Sequence, residues 1–206
     1  MPGYFIAFEG PDGAGKTTQV ALLNDWYASQ GLPVTVTRQP GGTKIGRDIR
    51  AVLLSTENQE LDPVAEAFLF AADRAQHAKE VIKPALARGE IVLTDRYVDS
   101  SIAYQGFGRG LGAQFVRDIN AKATGDLWPD LTVVLDLPAE MCLRRIAPTR
   151  SADRIEQAGI DFYRRARHGL LQCAAEAPSR YLVIDATLAI DDISTSIKEH
   201  LSLVRA

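Results

Sequence analysis

The chain has 206 residues, of which 46% are hydrophobic and 24% are charged, and its formal net charge is −3. A chain of this length is expected to form one domain, residues 1–206, with a core that needs no disulfide or metal to hold it together. The slightly acidic balance excludes the strongly basic surface of a nucleic-acid-binding protein, and no apolar run approaches the roughly 18 residues of a membrane span. Cys142 and Cys173 are too few for a disulfide scaffold, and the first residues lack the pattern of a signal peptide. We therefore expect a cytoplasmic protein with two buried, reduced thiols.

Five short apolar runs, rich in β-branched and aromatic residues, predict β-strands. Their apolarity is continuous rather than alternating, which is typical of parallel strands covered by helices on both faces. The predicted strands are Tyr4–Glu9, Val34–Arg38, Ile91–Asp95, Thr132–Leu137 and Tyr181–Asp185.

Longer segments with helical periodicity separate these strands. The predicted helices are Thr17–Gln30, Lys44–Leu54, a long helix from Pro63 towards Pro84 or Arg88, Ala113–Thr124, Ala139–Arg145, Gly159–Ala177 and Asp191–Val204. The alternation of strand and helix predicts an α/β fold, in which a doubly wound sheet of five parallel strands is flanked by helices. The spacing alone does not give the order of the strands.

The first predicted strand runs directly into the sequence GPDGAGKT at residues 10–17, and a predicted helix follows. This matches the G-x-x-x-x-G-K-[ST] pattern of a phosphate-binding P-loop. Glycines let successive backbone N–H groups turn towards an anion, and the helix N-terminus adds its positive end. Lys16 is expected to reach the β- and γ-phosphates of ATP, and the Thr17 hydroxyl to hold Mg²⁺. The predicted ATP-binding residues are Gly10, Pro11, Asp12, Gly13, Ala14, Gly15, Lys16, Thr17 and Thr18.

Several segments, in chain order, resemble the thymidylate kinase family. The resemblance implies that the γ-phosphate of ATP is transferred to deoxythymidine monophosphate, with Mg²⁺ as cofactor. The segments that carry it are FEGPDGAGKTTQ at 8–19, TRQPGGT at 37–43, DRY at 95–97, SSIAYQG at 100–106, DRIE at 153–156 and IDA at 184–186.

Such an enzyme holds two anionic substrates and needs cations beyond Lys16. Arg38 ends the second predicted strand, Arg96 follows the third, and Arg109 follows a glycine-rich turn. Ligands of open α/β sheets bind at the carboxyl ends of the strands, and the planar guanidinium suits phosphate, although any one of these arginines is also compatible with a solvated surface charge. The resemblance assigns Arg38 and Arg96 to the acceptor phosphate.

Two aspartates are candidates for the same site. Asp95 stands where a Walker B acid would, so it is expected to order the hydration shell of Mg²⁺ or to position Arg96; a turn cap is the alternative. For Asp12, inside the P-loop, the resemblance implies a hydrogen bond from the 3′-hydroxyl of the acceptor.

A base pocket is predicted from residues four apart on helices. Phe70 and Arg74 share one helix face, as a stacking surface beside a hydrogen-bond donor, although Phe70 could equally pack in the core. The resemblance implies that Phe70 stacks on thymine and that Arg74 reaches its O4. Ser101 and Gln105, if their segment is helical, are expected to offer polar contacts to the base. From the resemblance, Tyr104 crowds the 2′ position of the sugar.

The segment 144–156 is predicted to be a lid, with Arg150 at its centre. Basic residues in a mobile loop can close over ATP and stabilise the transition-state charge, and in the family a basic lid accompanies a P-loop without arginine. No general base is required, because the attacking phosphate oxygen is already ionised; the predicted catalytic residues are Lys16, Arg96 and Arg150.

Gln39 and the three histidines are not expected to take part in catalysis. Gln39 stands where many relatives have Glu, so no carboxylate role is expected there. We interpret His77, His168 and His200 as residues on helix surfaces.

Three other classes of P-loop protein are considered. A regulatory GTPase would need Asn-Lys-x-Asp, which is absent. Another small-molecule kinase would explain residues 10–17 but not Ala103–Gly106, and a motor-type ATPase would need a second catalytic acid. The predicted partners are therefore ATP and deoxythymidine monophosphate, with no nucleic acid or membrane. Relatives pair through helices, so we also predict a homodimer, for which the helix from Pro63 is the candidate interface.

Overall fold

The computed structural model describes residues 3–146 and 152–204, and its centre is a five-stranded sheet. All neighbouring strands are parallel, in the order β2-β3-β1-β4-β5. The strands are β1 (Tyr4–Glu9), β2 (Val34–Arg38), β3 (Ile91–Asp95), β4 (Leu131–Asp136) and β5 (Tyr181–Asp185). The predicted parallel sheet is confirmed, and only β4 is displaced, by one residue, because Leu131 already pairs with Ile6.

Helices flank this sheet and bury its centre. Phe5, Ile6 and Phe8 in β1 are at most 1% exposed, as expected for a central strand covered on both faces. The α-helices are α1 (Lys16–Ser29), α2 (Lys44–Leu54), α3 (Pro63–His77), α4 (Lys83–Ala87), α5 (Val98–Ser101), α6 (Ala113–Thr124), α7 (Ala139–Ile146), α8 (Ile160–Glu176) and α9 (Ile190–Val204). None of the helices within the described ranges is both long and apolar enough to cross a bilayer.

The long helix predicted from Pro63 is interrupted by a wider turn. Residues Ala78–Ile82 are π-helical, and the Lys83 N–H donates to the carbonyl of Ala78, five residues earlier. Pro84 has no N–H, and its ring would meet the carbonyl four residues earlier in a regular α-helix. The extra residue in the turn lets the chain pass Pro84 without ending the helix.

A second π-helical segment, Ile102–Gly108, follows α5 and lies against α8. Ser101 and Gln105, predicted to share a helix face if their segment is helical, lie just before it and within it, and its glycines weaken the helical signal in the sequence. The close packing requires small residues. A methyl group at Gly169 of α8 would lie 2.6 Å from the Phe107 ring, and one at Gly108 would lie 2.6 Å from the Phe162 ring.

The register of the strands brings charged residues to one edge of the sheet. Arg38 at the end of β2 lies opposite Asp95 in β3, and Phe8, one residue before the end of β1, also lies opposite Asp95. The P-loop follows β1, which lies next to β3 in the sheet. Cys142 and Cys173 are buried free thiols, as predicted.

Candidate active site

The P-loop between β1 and α1 is built on left-handed glycines. Gly10, Gly13 and Gly15 have φ angles of 137°, 78° and 95°, a region that side-chain-bearing residues rarely adopt. Gly10 also packs closely, because a methyl group there would lie 2.5 Å from the carbonyl oxygen of Leu135. The loop lines an open cleft of about 890 Å³. Its backbone N–H groups and the N-terminus of α1 make this cleft suitable for phosphates.

Lys16 is the first residue of α1 and lies over the loop that precedes it. Its ammonium group donates to the carbonyl of Pro11 at 2.9 Å and lies 3.9 Å from the Asp12 carboxylate. Burial lowers the pKa of Lys16, and the charge of Arg96 lowers it further. An anion in the cleft would relieve this destabilisation of the ammonium ion, so the position favours phosphate binding.

Thr17 and Asp95 form an oxygen pair at the edge of the same cleft. The Thr17 hydroxyl donates to the Asp95 carboxylate at 2.7 Å. A hydroxyl and a single carboxylate are the protein ligands expected for a Mg²⁺ ion that is otherwise held by water and substrate phosphates. Within residues 3–146 and 152–204 there is no cluster of three or more acidic, His or Cys side chains that could hold a metal without such phosphates. The donor set therefore fits Mg²⁺ bound together with ATP.

Arg96 connects β3 to the P-loop. Its φ of 72° is unusual for a residue with a side chain. The guanidinium donates to the Asp12 carboxylate at 2.8 Å, the Gly10 carbonyl at 3.0 Å and the Ser100 hydroxyl at 3.1 Å. Burial lowers the pKa of Arg96, but Asp12, Asp95 and the other groups of negative charge around it together outweigh that effect, so the pKa is raised. Arg96 is thus held charged and immobile beside the loop.

Two further arginines line the cleft. Arg38 lies there, on the same side of the molecule as Lys16 and Arg96. The sequence did not indicate a second one, Arg50 on α2, which donates to the carbonyl of Pro40 at 3.1 Å and also lines the cleft. No motif marks Arg50, and only the packing of α2 beside the cleft reveals it. Arg109 does not line the cleft, because its guanidinium is paired with Glu66 at 3.1 Å.

A smaller cavity of about 90 Å³ adjoins the cleft. It shares Asp12, Gln39, Arg50 and Arg96 with the cleft, which joins the two spaces. The structure also brings all five residues predicted for the base pocket to this cavity: Phe70, Arg74, Ser101, Tyr104 and Gln105.

Arg74 is the central polar group of this cavity and is 1% exposed. Its guanidinium donates to the Ser101 hydroxyl at 2.7 Å, to the Asn120 side-chain oxygen at 3.1 Å and to the Tyr97 carbonyl at 2.8 Å. Its carbon lies 5.7 Å from the centre of the Phe70 ring. Ser101 therefore orients Arg74, a contact that the sequence did not indicate.

The prediction that His77 lies on a helix surface is wrong, whereas His168 is exposed and His200 partly exposed. His77 is fully buried, with Nε2 2.6 Å from the Thr37 hydroxyl and Nδ1 2.6 Å from the Gln39 amide nitrogen. A signal was present, because residues 70, 74 and 77 follow the i, i+4, i+7 spacing of one helix face. Burial lowers the pKa of His77 to about 4, so the ring is neutral at neutral pH.

This burial predicts a specific dependence of stability on pH. An unfolded histidine titrates near pH 6.5, so the stability from a neutral His77 is present above that pH and is lost as pH falls towards 4. Between pH 7.5 and pH 5 the wild type should lose about 2 kcal/mol of unfolding free energy that a His77→Gln variant does not lose. Urea unfolding at both pH values measures the difference. His168→Gln, at an exposed site, is the matched control; equal pH dependence in wild type and His77→Gln would contradict the prediction.

The predicted lid is only partly described. Arg150 lies outside the described residues. At the near end of the lid, Arg145 donates to the carbonyl of Gly13 in the P-loop at 2.9 Å. At the far end, Arg154 donates to Leu53 and Glu66, at 2.9 and 2.6 Å. The two described ends of the lid thus contact the P-loop and helix α3.

Comparison with known proteins adds to this geometry. The family model described as Thymidylate kinase matches residues 8–197. The chain is 54% identical to the thymidylate kinase of Desulforudis audaxviator, over 90% of this chain and 84% of that protein. It is 50% identical to that of Deinococcus radiodurans, over 95% and 94% of the two chains. The crystal structure of thymidylate kinase from Ehrlichia chaffeensis superposes with a TM-score of 0.80 at 34% identity, covering 98% of this chain and 99% of that one. The chain therefore belongs to the thymidylate kinase family.

Proposed function

We propose that this protein transfers the γ-phosphoryl group of ATP to deoxythymidine monophosphate. The observation that carries the proposal is the pair of adjoining cavities, one against the P-loop and one lined by Phe70 and Arg74, which share Asp12 and Arg96. A donor nucleotide in the first and an acceptor in the second would bring their phosphates together beside Arg96. The membership of the chain in the thymidylate kinase family supports the same pair of substrates.

The proposed chemistry depends on positioning and charge neutralisation. The acceptor phosphate is ionised at neutral pH, so no side chain has to remove a proton. Lys16 would bind the transferred phosphoryl group, Arg38 and Arg50 the acceptor phosphate, and Arg96 would lie between the two. Mg²⁺, held by Thr17 and Asp95, would neutralise charge on the phosphates of ATP. We also propose that Arg150 contributes from the lid.

The proposed acceptor site selects both base and sugar. Phe70 would stack on the thymine ring, while Arg74 donates to its O4. Gln105 would meet the neighbouring edge of the base, and Tyr104 would occupy the space of a ribose 2′-hydroxyl. Asp12, already bound to Arg96, would accept a hydrogen bond from the 3′-hydroxyl.

An ADP-release assay that offers ATP with one acceptor at a time tests the proposal. The acceptors are the thymine, uracil and cytosine deoxynucleoside monophosphates and uridine monophosphate. The thymine nucleotide should give the largest kcat/KM, and the ribonucleotide a much smaller one. Equal use of all four acceptors, or no transfer to the thymine nucleotide, would contradict the proposed function.

We propose that the protein forms a homodimer through α3 and α6. Phe68 on α3 is 52% exposed, and its ring meets that of Phe115 on α6 edge to face, at 6.2 Å between centres. The groove between these helices is lined mainly by apolar side chains. A second copy of the chain would remove this surface from water. Sedimentation equilibrium should give twice the 22.5 kDa chain mass, and a mass of one chain would refute the dimer.

A further inference from the structure

Glu66 on α3 is a fully buried carboxylate that three side chains surround. The Gln105 amide nitrogen donates to its Oε1 at 2.8 Å. Arg109 donates to both of its oxygens, at 3.2 and 3.1 Å, and Arg154 donates to Oε2 at 2.6 Å. Glu66 itself does not line the cavity of the base pocket, but Gln105 does. Gln105 is therefore the side chain that links the buried Glu66 to the base pocket.

The charge of Glu66 is maintained by its partners. Burial raises the pKa of Glu66, but the hydrogen bonds from Arg109, Gln105 and Arg154, together with the charge of Arg109, outweigh that effect and lower the pKa overall. An ionised carboxylate only accepts hydrogen bonds. A protonated or amide group in its place could also donate, so the charge fixes the direction of every hydrogen bond in the cluster.

This direction determines how Gln105 is oriented. Because Glu66 can only accept, the Gln105 atom that faces it must be the amide nitrogen, and the carbonyl oxygen must lie on the other branch of the amide. Among the described residues none donates to that oxygen, although Gln105 is only 1% exposed. Because Gln105 lines the base cavity, this oxygen is available there as an acceptor, in an orientation set by a residue outside the cavity.

Arg74 contributes the opposite polarity to the same cavity. It is a donor only, because a guanidinium has no acceptor atom. A donor beside an acceptor matches a pyrimidine with a 4-oxo group next to an N3–H. Cytosine presents the reverse, a 4-amino donor next to an N3 acceptor. In this pocket its amino group would face the donor Arg74, and its N3 would face the acceptor oxygen of Gln105, so neither hydrogen bond could form.

We propose that Glu66 is a positioning residue for base selection, which fixes the Gln105 amide so that the pocket accepts 4-oxo pyrimidines and rejects 4-amino pyrimidines. The proposal rests on the proposed function and deepens it. Arg109 and Arg154 take part by balancing the charge of Glu66, without touching Gln105.

The test is the ratio of kcat/KM for the thymine nucleotide to that for the cytosine nucleotide. Glu66→Gln keeps the shape of the side chain but can donate, so the Gln105 amide can turn either way. The ratio should fall about tenfold or more, through a higher KM for the thymine nucleotide and a gain of activity with the cytosine nucleotide. Glu140→Gln makes the same chemical change in an exposed ion pair with Arg164, so it is the matched control and should keep the ratio within about twofold.

A second variant covers the case in which Glu66→Gln does not fold. Gln105→Met keeps the length of the side chain and removes the amide, so its ratio should fall as well. An unchanged ratio in either variant, or an equal fall in Glu140→Gln, would overturn the role of Glu66. These outcomes presuppose a wild-type enzyme that uses the thymine nucleotide, so a failure of the proposed function is recognised separately.

Discussion

Replacing Lys16 with methionine should lower kcat for phosphoryl transfer by about a thousandfold or more. Methionine has a similar volume but no ammonium group, so the change removes the positive charge from the cleft with little change in packing. The fold should persist, since Asp12 keeps its hydrogen bond to Arg96 at 2.8 Å. An ADP-release assay measures the loss, and a thermal melt verifies that the variant is folded.

The matched control for this change is Lys79→Met. Lys79 is exposed in the π-helical turn after α3 and does not line the cleft. Its variant should retain wild-type turnover. A wild-type kcat in Lys16→Met would show that the P-loop lysine has no role in phosphoryl transfer.

Replacing Arg96 with lysine should lower kcat by about a hundredfold to a thousandfold while the charge is retained. One guanidinium donates to the Asp12 carboxylate, the Gly10 carbonyl and the Ser100 hydroxyl at once, and an ammonium on a shorter, flexible chain cannot reproduce that geometry. Because lysine keeps the positive charge, the substitution tests whether the placement of that charge matters for kcat.

Steady-state kinetics with both substrates measures this effect. We expect most of the loss in kcat, since Arg38 and Arg50 remain to hold the acceptor phosphate and limit the rise in KM. Arg117→Lys, at a surface pair with Glu176, is the control and should change neither constant. A kcat within about threefold of wild type in Arg96→Lys would show that charge alone suffices.

The features that the sequence predicted are those with local signals. The strands were recognisable from continuous apolar runs, and the P-loop from eight consecutive residues at 10–17. The base-pocket residues were predicted mainly from the family resemblance. They lie on α3 and on the segment from Val98 to Gly108, which meet only in the folded chain. The roles of these residues stay predictions until the variants are measured.

The features that the sequence did not predict depend on tertiary packing. Arg50 reaches the cleft because α2 packs beside α3, and nothing within α2 marks it. His77 is buried because the helix face of Phe70 and Arg74 continues through it. In the sequence, Glu66 looks like an ordinary charged residue in the first turn of a capped helix. Its burial is stable only because Arg109 and Arg154, which are distant in sequence, pair with its charge.

The close packing at Gly169 has a consequence for engineering the range of acceptors. A methyl group there would lie 2.6 Å from the Phe107 ring and 3.0 Å from the Cα of Ala103, so the wall that carries Tyr104 and Gln105 rests on α8 almost backbone to backbone. That wall has no room to retreat when a bulkier nucleobase enters. Redesign for larger acceptors should therefore begin on α3, across the cavity, where shortening a side chain creates space without moving a helix.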